Sequence, residues 1–301
     1  MPIVIPREIP AFDVLTQEAI FVMGENRAVT QDIRPLEIAI LNLMPTKIET
    51  ETQLMRMLSN TPLQVNITLI KTASYNATNV SATHMDRFYR VFDEVKNRRF
   101  DGLIVTGAPV EKLDFTDVKY WDELCDIMDY AERNVTSSVF ICWGAQAALS
   151  YYYGIGKREL DKKKFGVFPN KILVENDPLL RGLNDAFMMP HSRHTEIDRK
   201  ALAEEGKLVV LAEGDDCGVS VIKSIDNKKF FFIGHSEYDR DTLKKEYLRD
   251  LEKGDPIEPP QNYFVNGDMN KIDMSWRSTG TLLFSNWLNY YVYQVTPYDN
   301  Q

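Results

Sequence analysis

Four times in the first half of the chain, a short run of aliphatic and β-branched residues meets a turn and then a stretch whose apolar residues recur with helical spacing. Strands that alternate with helices in this way have few arrangements open to them. Crossovers of that length join parallel strands, and both faces of the resulting sheet are covered. The first unit runs over 36–43 and 49–58, the second over 64–70 and 85–95, and the third over 101–106 and 120–131. In the fourth, SSVFICWGAQAALS over 137–150, a strand passes straight into a helix with Cys142 at the corner. An α/β fold with a parallel sheet is therefore expected. Its chemistry should lie outside the carboxyl ends of the strands, where 44–47 (Met-Pro-Thr-Lys), 107–109 (Gly-Ala-Pro) and Cys142 all fall.

The flanks of this series are less regular. Residues 1–34 read as an extended N-terminal arm, with one short helix within 11–23 and a polar loop over 24–32, and 35–301 read as a single α/β domain. Past the fourth unit come shorter strand-like runs at 165–168, 171–174, 207–212 and 219–223, whose pairing the sequence leaves open. A continuous apolar strand over 229–234 follows, then a helix over 238–253, a proline-rich loop over 255–260 and a closing helix over 279–292.

With 44% apolar and 26% charged residues among 301, the chain can bury a sizeable core. A formal net charge of −9 argues against a general nucleic-acid or anionic-membrane surface, so small molecules are the expected partners. No stretch has the apolar length of a membrane span, and the proline-bearing N-terminus lacks the apolar centre of a signal peptide, so a cytoplasmic location is expected. Cys125, Cys142 and Cys217 form no Cys-x-x-Cys pair and are odd in number, which suggests neither a disulfide framework nor a structural zinc site.

Cys142 is the candidate nucleophile. At the start of a helix, unpaired backbone N–H groups stabilise a thiolate and any oxyanion formed beside it, with the N–H of Trp143 the first such donor. The nucleophile elbow is normally written with glycines two residues either side, whereas here the preceding position is Phe140 and only Gly144 conforms. A base is available where the 229–234 strand ends in His235-Ser236-Glu237. Residues two apart in extended chain point the same way, so Glu237 can fix the tautomer of His235 and stabilise its imidazolium. His191 and His194 read as polar loop residues without a third metal ligand, and His84, opening a helix, as structural.

On five motifs in order, the chain is similar over essentially its whole length to the homoserine O-acyltransferase family of methionine biosynthesis. They are NLMPTK at 42–47, TGAP at 106–109, FICWGAQ at 140–146, MPHSRH at 189–194 and GHSE at 234–237. The resemblance implies a three-layer α/β fold with a mainly parallel sheet, class I glutamine-amidotransferase-like and flavodoxin-like. It implies that Cys142 carries the acyl group, with His235 and Glu237 as its partners, and that Lys163, Ser192 and Arg249 hold the amino-acid substrate. It also implies that position 111 separates members using succinyl-CoA, where it resembles glycine, from members using acetyl-CoA, where it resembles glutamate. This chain has Glu111.

The expected activity is homoserine O-acetyltransferase, a ping-pong transfer from acetyl-CoA through Cys142 to the hydroxyl of L-homoserine. Acetyl-CoA is then a co-substrate, and no cofactor or metal is implied. A second oxyanion donor is expected from the 44–47 loop. Homoserine O-succinyltransferase, a glutaminase subunit of the same fold and a non-enzymatic binding protein stay open as alternatives, as does a homo-oligomer.

Overall fold

In the computed structural model, which describes residues 3–18, 20, 22–25, 34–74 and 81–296, the chain begins with a two-residue strand, β1 (Ile3–Val4), and helix α1 (Pro10–Gln17). The expected units then follow. β2 (Leu36–Leu41) leads to α2 (Lys47–Leu58), and β3 (Val65–Lys71) leads to α3 (Ala82–Phe88), β4 (Tyr89–Val91) and α4 (Phe92–Val95). β5 (Phe100–Val105) leads to α5 (Trp121–Asn134), and β6 (Val135–Ile141) to α6 (Trp143–Tyr153). The second half supplies β7 (Lys157–Ile172), β8 (Ala186–Ile197), α7 (Arg199–Glu204), β9 (Leu208–Gly214), β10 (Gly218–Ser224) and β11 (Lys229–Phe232). Helices α8 (Thr242–Glu252) and α9 (Arg277–Asn286) close it, the latter continuing as a π-helix over Trp287–Tyr293.

These strands form one sheet in the order β1, β3, β2, β5, β6, β11, β10, β9, β7, β8, with β4 also on β3. From β1 to β11 the neighbours are parallel, and from β11 to β8 they are antiparallel. Alternate residues of each central strand feed two apolar layers, as a sheet covered on both faces requires. Ile38 and Ile40 of β2 join Leu54 of α2 and Leu283 and Phe284 of α9 on one side. Ala39 and Leu41 join Leu124 and Ile127 of α5 and Leu149 of α6 on the other. This is the three-layer arrangement expected.

The N-terminal arm is docked rather than free. Ile3 of β1 lies opposite Val65 of β3, and Ile3, Ile5, Ile9, Ala11 and Leu15 are buried in the first apolar layer. The polar loop expected over 24–32 lies mostly outside the described residues.

Three expectations are corrected. The helix expected over 85–95 is interrupted, because Tyr89–Val91 pairs with Leu69–Lys71 as β4. Tyr89 is buried there, its hydroxyl held by Glu51 and Asn42, a tertiary anchor that overrides helical periodicity. The runs at 165–168 and 171–174 lie largely within one long strand, β7, with an irregularity between Glu159 and Lys164. Finally, the segment carrying His191 and His194 is not a loop but β8, the antiparallel partner of β7. Its alternation is real, since Met189, His191, Arg193, Thr195 and Ile197 are all buried, but three of these five are polar and give no hydrophobic period.

Candidate active site

β6 and β11 are parallel and level, with Ser138 opposite Lys229 and Ile141 opposite Phe232. The turn after β6 and the turn after β11 therefore open side by side, and the Cys142 N–H donates to the Phe232 carbonyl at 2.7 Å. Cys142 sits at φ 49°, a left-handed value that a residue with a Cβ adopts only under constraint. That constraint sets it at the mouth of α6, where the Trp143 N–H, as the first residue of the helix, has no intrahelical acceptor. Gly144 is dictated by packing, because a Cβ there would lie 2.6 Å from the Thr106 carbonyl oxygen. At Gly107 a Cβ would lie 3.3 Å from the Cys142 Cβ and 3.6 Å from His235 Cε1, so the backbone after β5 comes up against both side chains. Phe140 needs no such approach. Its ring stacks on Phe231 of the neighbouring strand, with centroids 5.6 Å apart.

His235 is almost wholly enclosed, and its Nδ1 is 2.7 Å from Glu237 Oε1, also buried. Cys142 stands beside the same ring, near enough for its charge to act on the imidazole. Burial alone would push the His235 pKa down, but the negative charges of Cys142 and Glu237, with the hydrogen bond to Glu237, hold it well above the usual histidine value. Tyr238 stacks flat on the ring at 4.1 Å and fixes its plane. Cysteine, histidine and glutamate thus stand together as the sequence suggested.

Cys142 and His235 line a cavity of about 730 Å³, whose wall also includes Glu111, Lys163, Ser192 and Arg249. All the side chains singled out from sequence for substrate binding and acyl selection reach this one cavity. Glu111 Oε2 accepts from the His194 N–H at 2.8 Å. Lys163 and Ser192 are similarly engaged, Lys163 Nζ with Asp250 at 3.0 Å and Ser192 Oγ donating to Glu246 Oε2 at 2.5 Å. Arg249 is half exposed and pairs with Asp250 through Nε at 2.8 Å.

Two acidic residues, Glu246 and Asp250, were missed by the sequence reading. Glu246 also accepts from the Tyr238 hydroxyl at 3.0 Å, which ties the cavity wall to the face of His235. Although burial would raise the Asp250 pKa, Lys163 and Arg249 hold it below the usual carboxylate range. Their signal was the spacing on α8, where Glu246 and Asp250 are four apart and Arg249 is three from Glu246, so that all share one face.

The 44–47 loop borders the same cavity, but its amides are partly committed. The Met44 N–H donates to Asn42 Oδ1 at 3.1 Å, and Pro45 has none to offer. His191 and His194, three apart on a strand, point to opposite faces. His191 is enclosed, 3.3 Å from Ser220 Oγ through Nε2, and burial followed by the charge of Arg193 keeps its pKa well below the usual value. His194 faces the cavity. His84, as expected, is structural, its Nε2 lying 3.1 Å from buried Glu51. All three cysteines are free, and among the described residues no group of three or more His, Cys, Asp or Glu side chains converges to hold a metal. No helix among them is long and apolar enough to cross a membrane.

Over residues 2–298 the chain matches the family described as homoserine O-succinyltransferase. It is 54% identical over 300 residues to a homoserine O-acetyltransferase of Clostridium botulinum (strain Alaska E43 / Type E3), with 99% of this chain and 98% of that protein covered. It is 53% identical over 300 residues to a homoserine O-acetyltransferase of Petrotoga mobilis (strain DSM 10674 / SJ95), covering 99% and 97% respectively. Among solved structures, a glutamine amidotransferase from Thermotoga maritima shares the fold with a TM-score of 0.57 at 12% identity, over 85% of this chain and 97% of that one.

Proposed function

Because this chain belongs to the homoserine O-succinyltransferase family, an acyltransferase family of methionine biosynthesis, we propose that it is a homoserine O-acetyltransferase working through an acyl-cysteine on Cys142. The observation that carries this reading is a single cavity holding Cys142, His235 bonded to Glu237, a fixed carboxylate at Glu111, and a cluster of opposite charges suited to an amino acid.

With His235 protonated, the Cys142 thiolate attacks the carbonyl carbon of acetyl-CoA. The carbonyl oxygen takes the negative charge opposite the Trp143 N–H, and the adjoining backbone at Gly107 is our choice for the second donor. Collapse breaks the bond to the CoA sulfur, which leaves with the proton from His235. Acylation thereby removes the thiolate, the strongest influence holding the His235 pKa up. The imidazole is left neutral and ready to act as a base. It takes the proton from the homoserine hydroxyl as that oxygen attacks the acyl-cysteine. Expulsion of the Cys142 thiolate gives O-acetyl-L-homoserine and restores the starting pair.

Homoserine arrives as a zwitterion and needs both signs of charge. The fork of Arg249 suits its carboxylate, Lys163 adds a second positive charge, and Ser192 a neutral contact, while Glu246 suits its ammonium. Glu111 supports acetyl over succinyl. A second carboxylate about 5 Å from it, at an effective dielectric of about 20, would cost about 3 kcal/mol, roughly a hundredfold in preference. The location is cytoplasmic, and the reaction takes no cofactor besides the two substrates. The test is to supply L-homoserine with acetyl-CoA or succinyl-CoA and identify the ester formed. O-acetyl-L-homoserine is the expected product; equal transfer of succinyl would remove the acetyl assignment.

A further inference from the structure

Glu111 stands at the end of a chain of contacts that the transfer chemistry does not use. Its Oε2 is 3.3 Å from the Thr195 hydroxyl, in addition to its bond with the His194 N–H. Thr195 is buried on β8, and its hydroxyl lies 2.8 Å from Gln146 Oε1, while Gln146 Nε2 donates to the Thr195 carbonyl at 3.3 Å. Gln146 is itself one turn beyond the nucleophile, its N–H donating to the Cys142 carbonyl at 3.0 Å. On the other side, the Lys157 ammonium from β7 donates to the carbonyls of Glu111 and Leu113, the latter at 2.6 Å, and lies 4.9 Å from the Phe115 ring. The loop that carries Glu111 is thus held by its backbone from β7 and by its carboxylate from β8.

A carboxylate excludes a second negative charge only while it stays close. If Glu111 were free to swing from about 5 Å to about 8 Å from the incoming charge, at an effective dielectric of about 20, the discrimination would fall about eightfold. A glutamate on a loop has the rotamer freedom to make that movement, and solvent would reward it. We propose that Thr195 and Lys157 are specificity-positioning residues, Thr195 sharing its one hydroxyl proton between Glu111 Oε2 and Gln146 Oε1. Together they keep the Glu111 carboxylate against the acyl pocket, so that acyl choice belongs to the β7–β8 hairpin as well as to the glutamate.

This inference rests on the reading of Glu111 as the acyl gate, and the experiment separates the two. The ratio of kcat/KM for acetyl-CoA to that for succinyl-CoA is measured in wild type, Thr195→Val, Thr195→Ser, Lys157→Met and Glu111→Gly. Thr195→Val is expected to lower the ratio about eightfold, chiefly by a gain with succinyl-CoA, and Thr195→Ser to restore it. Lys157→Met, at a more accessible position, should move the ratio the same way even if the threonine variant fails to fold. In Glu111→Gly, adding Thr195→Val should change the ratio no further, since the group it positions is gone. A ratio unmoved by Thr195→Val or Lys157→Met while Glu111→Gly shifts it would overturn the positioning role. So would an equal loss with both acyl-CoAs, the mark of a purely structural residue. A ratio unmoved by Glu111→Gly itself would overturn the gate, and the positioning role with it.

Discussion

Replacing Glu237 by Gln tests the electrostatics of the site, because it keeps the shape of the side chain and removes its charge. The pair it breaks is short, 2.7 Å between Nδ1 of His235 and the carboxylate, with both side chains less than a tenth exposed. A hydrogen bond to a charged partner is worth about 1.5–3 kcal/mol, so its loss should lower the elevated His235 pKa. The sign follows from the chemistry. Glu237 favours the imidazolium, its removal favours the neutral ring, and acylation needs the imidazolium to protonate the departing CoA. The basic limb of the acylation profile should therefore move to lower pH. The assay is a rapid-mixing measurement of the first CoA released per enzyme, without homoserine, across pH. At the wild-type optimum, the same loss predicts acylation slower by about ten- to a hundredfold. A variant with a slower burst but an unmoved basic limb would refute the electrostatic role and leave Glu237 a merely steric support.

Arg249→Ala should raise the KM for L-homoserine by about ten- to a hundredfold and leave the acylation burst nearly unchanged; equal loss in both half-reactions would take Arg249 out of the amino-acid site. Gly144→Ala forces a Cβ to within 2.6 Å of the Thr106 carbonyl oxygen, and by calorimetry should cost about 1–3 kcal/mol of stability while slowing acylation. We propose a division into an arm, 1–34, and a single domain, 35–301, with 3–15 of the arm docked on the domain. Deleting residues 1–17 would uncover the apolar surface beneath Ile3, Ile5, Ile9 and Leu15, each worth about 1.5–3 kcal/mol of burial, and should lower the melting temperature sharply; an unchanged melt would show the arm dispensable.

The parts of this protein legible in its sequence are those where burial and apolarity coincide. β2, β5 and β6 are nearly or wholly buried along their length and each ends in an apolar run, 38–41, 103–105 and 139–141, and the turns after them locate the cavity. β8 escaped because its enclosed face carries His191, Arg193 and Thr195, which meet Ser220, the Cys217 carbonyl and Gln146, all far off in sequence. β4 escaped because three residues between two short helices keep a helical rhythm, and only their pairing with β3 reveals a strand. For the site, Cys142 and the His235–Glu237 pair were each visible at a strand end. Their meeting depends on β11 lying beside β6, a crossover of about ninety residues that local pattern does not encode. Glu246 and Asp250 share a helix face that looks like an ordinary solvated one until β7 and β8 bring Lys163 and Ser192 against it.

The most direct test of covalent transfer is intact-protein and peptide mass spectrometry after brief incubation with acetyl-CoA alone. One acetyl group is expected on the peptide containing Cys142, lost on addition of L-homoserine with appearance of O-acetyl-L-homoserine, and absent in Cys142→Ala. A Cys142→Ala protein that still made the ester at near wild-type rate, or a wild-type protein that turned over without ever carrying acetyl on Cys142, would contradict it.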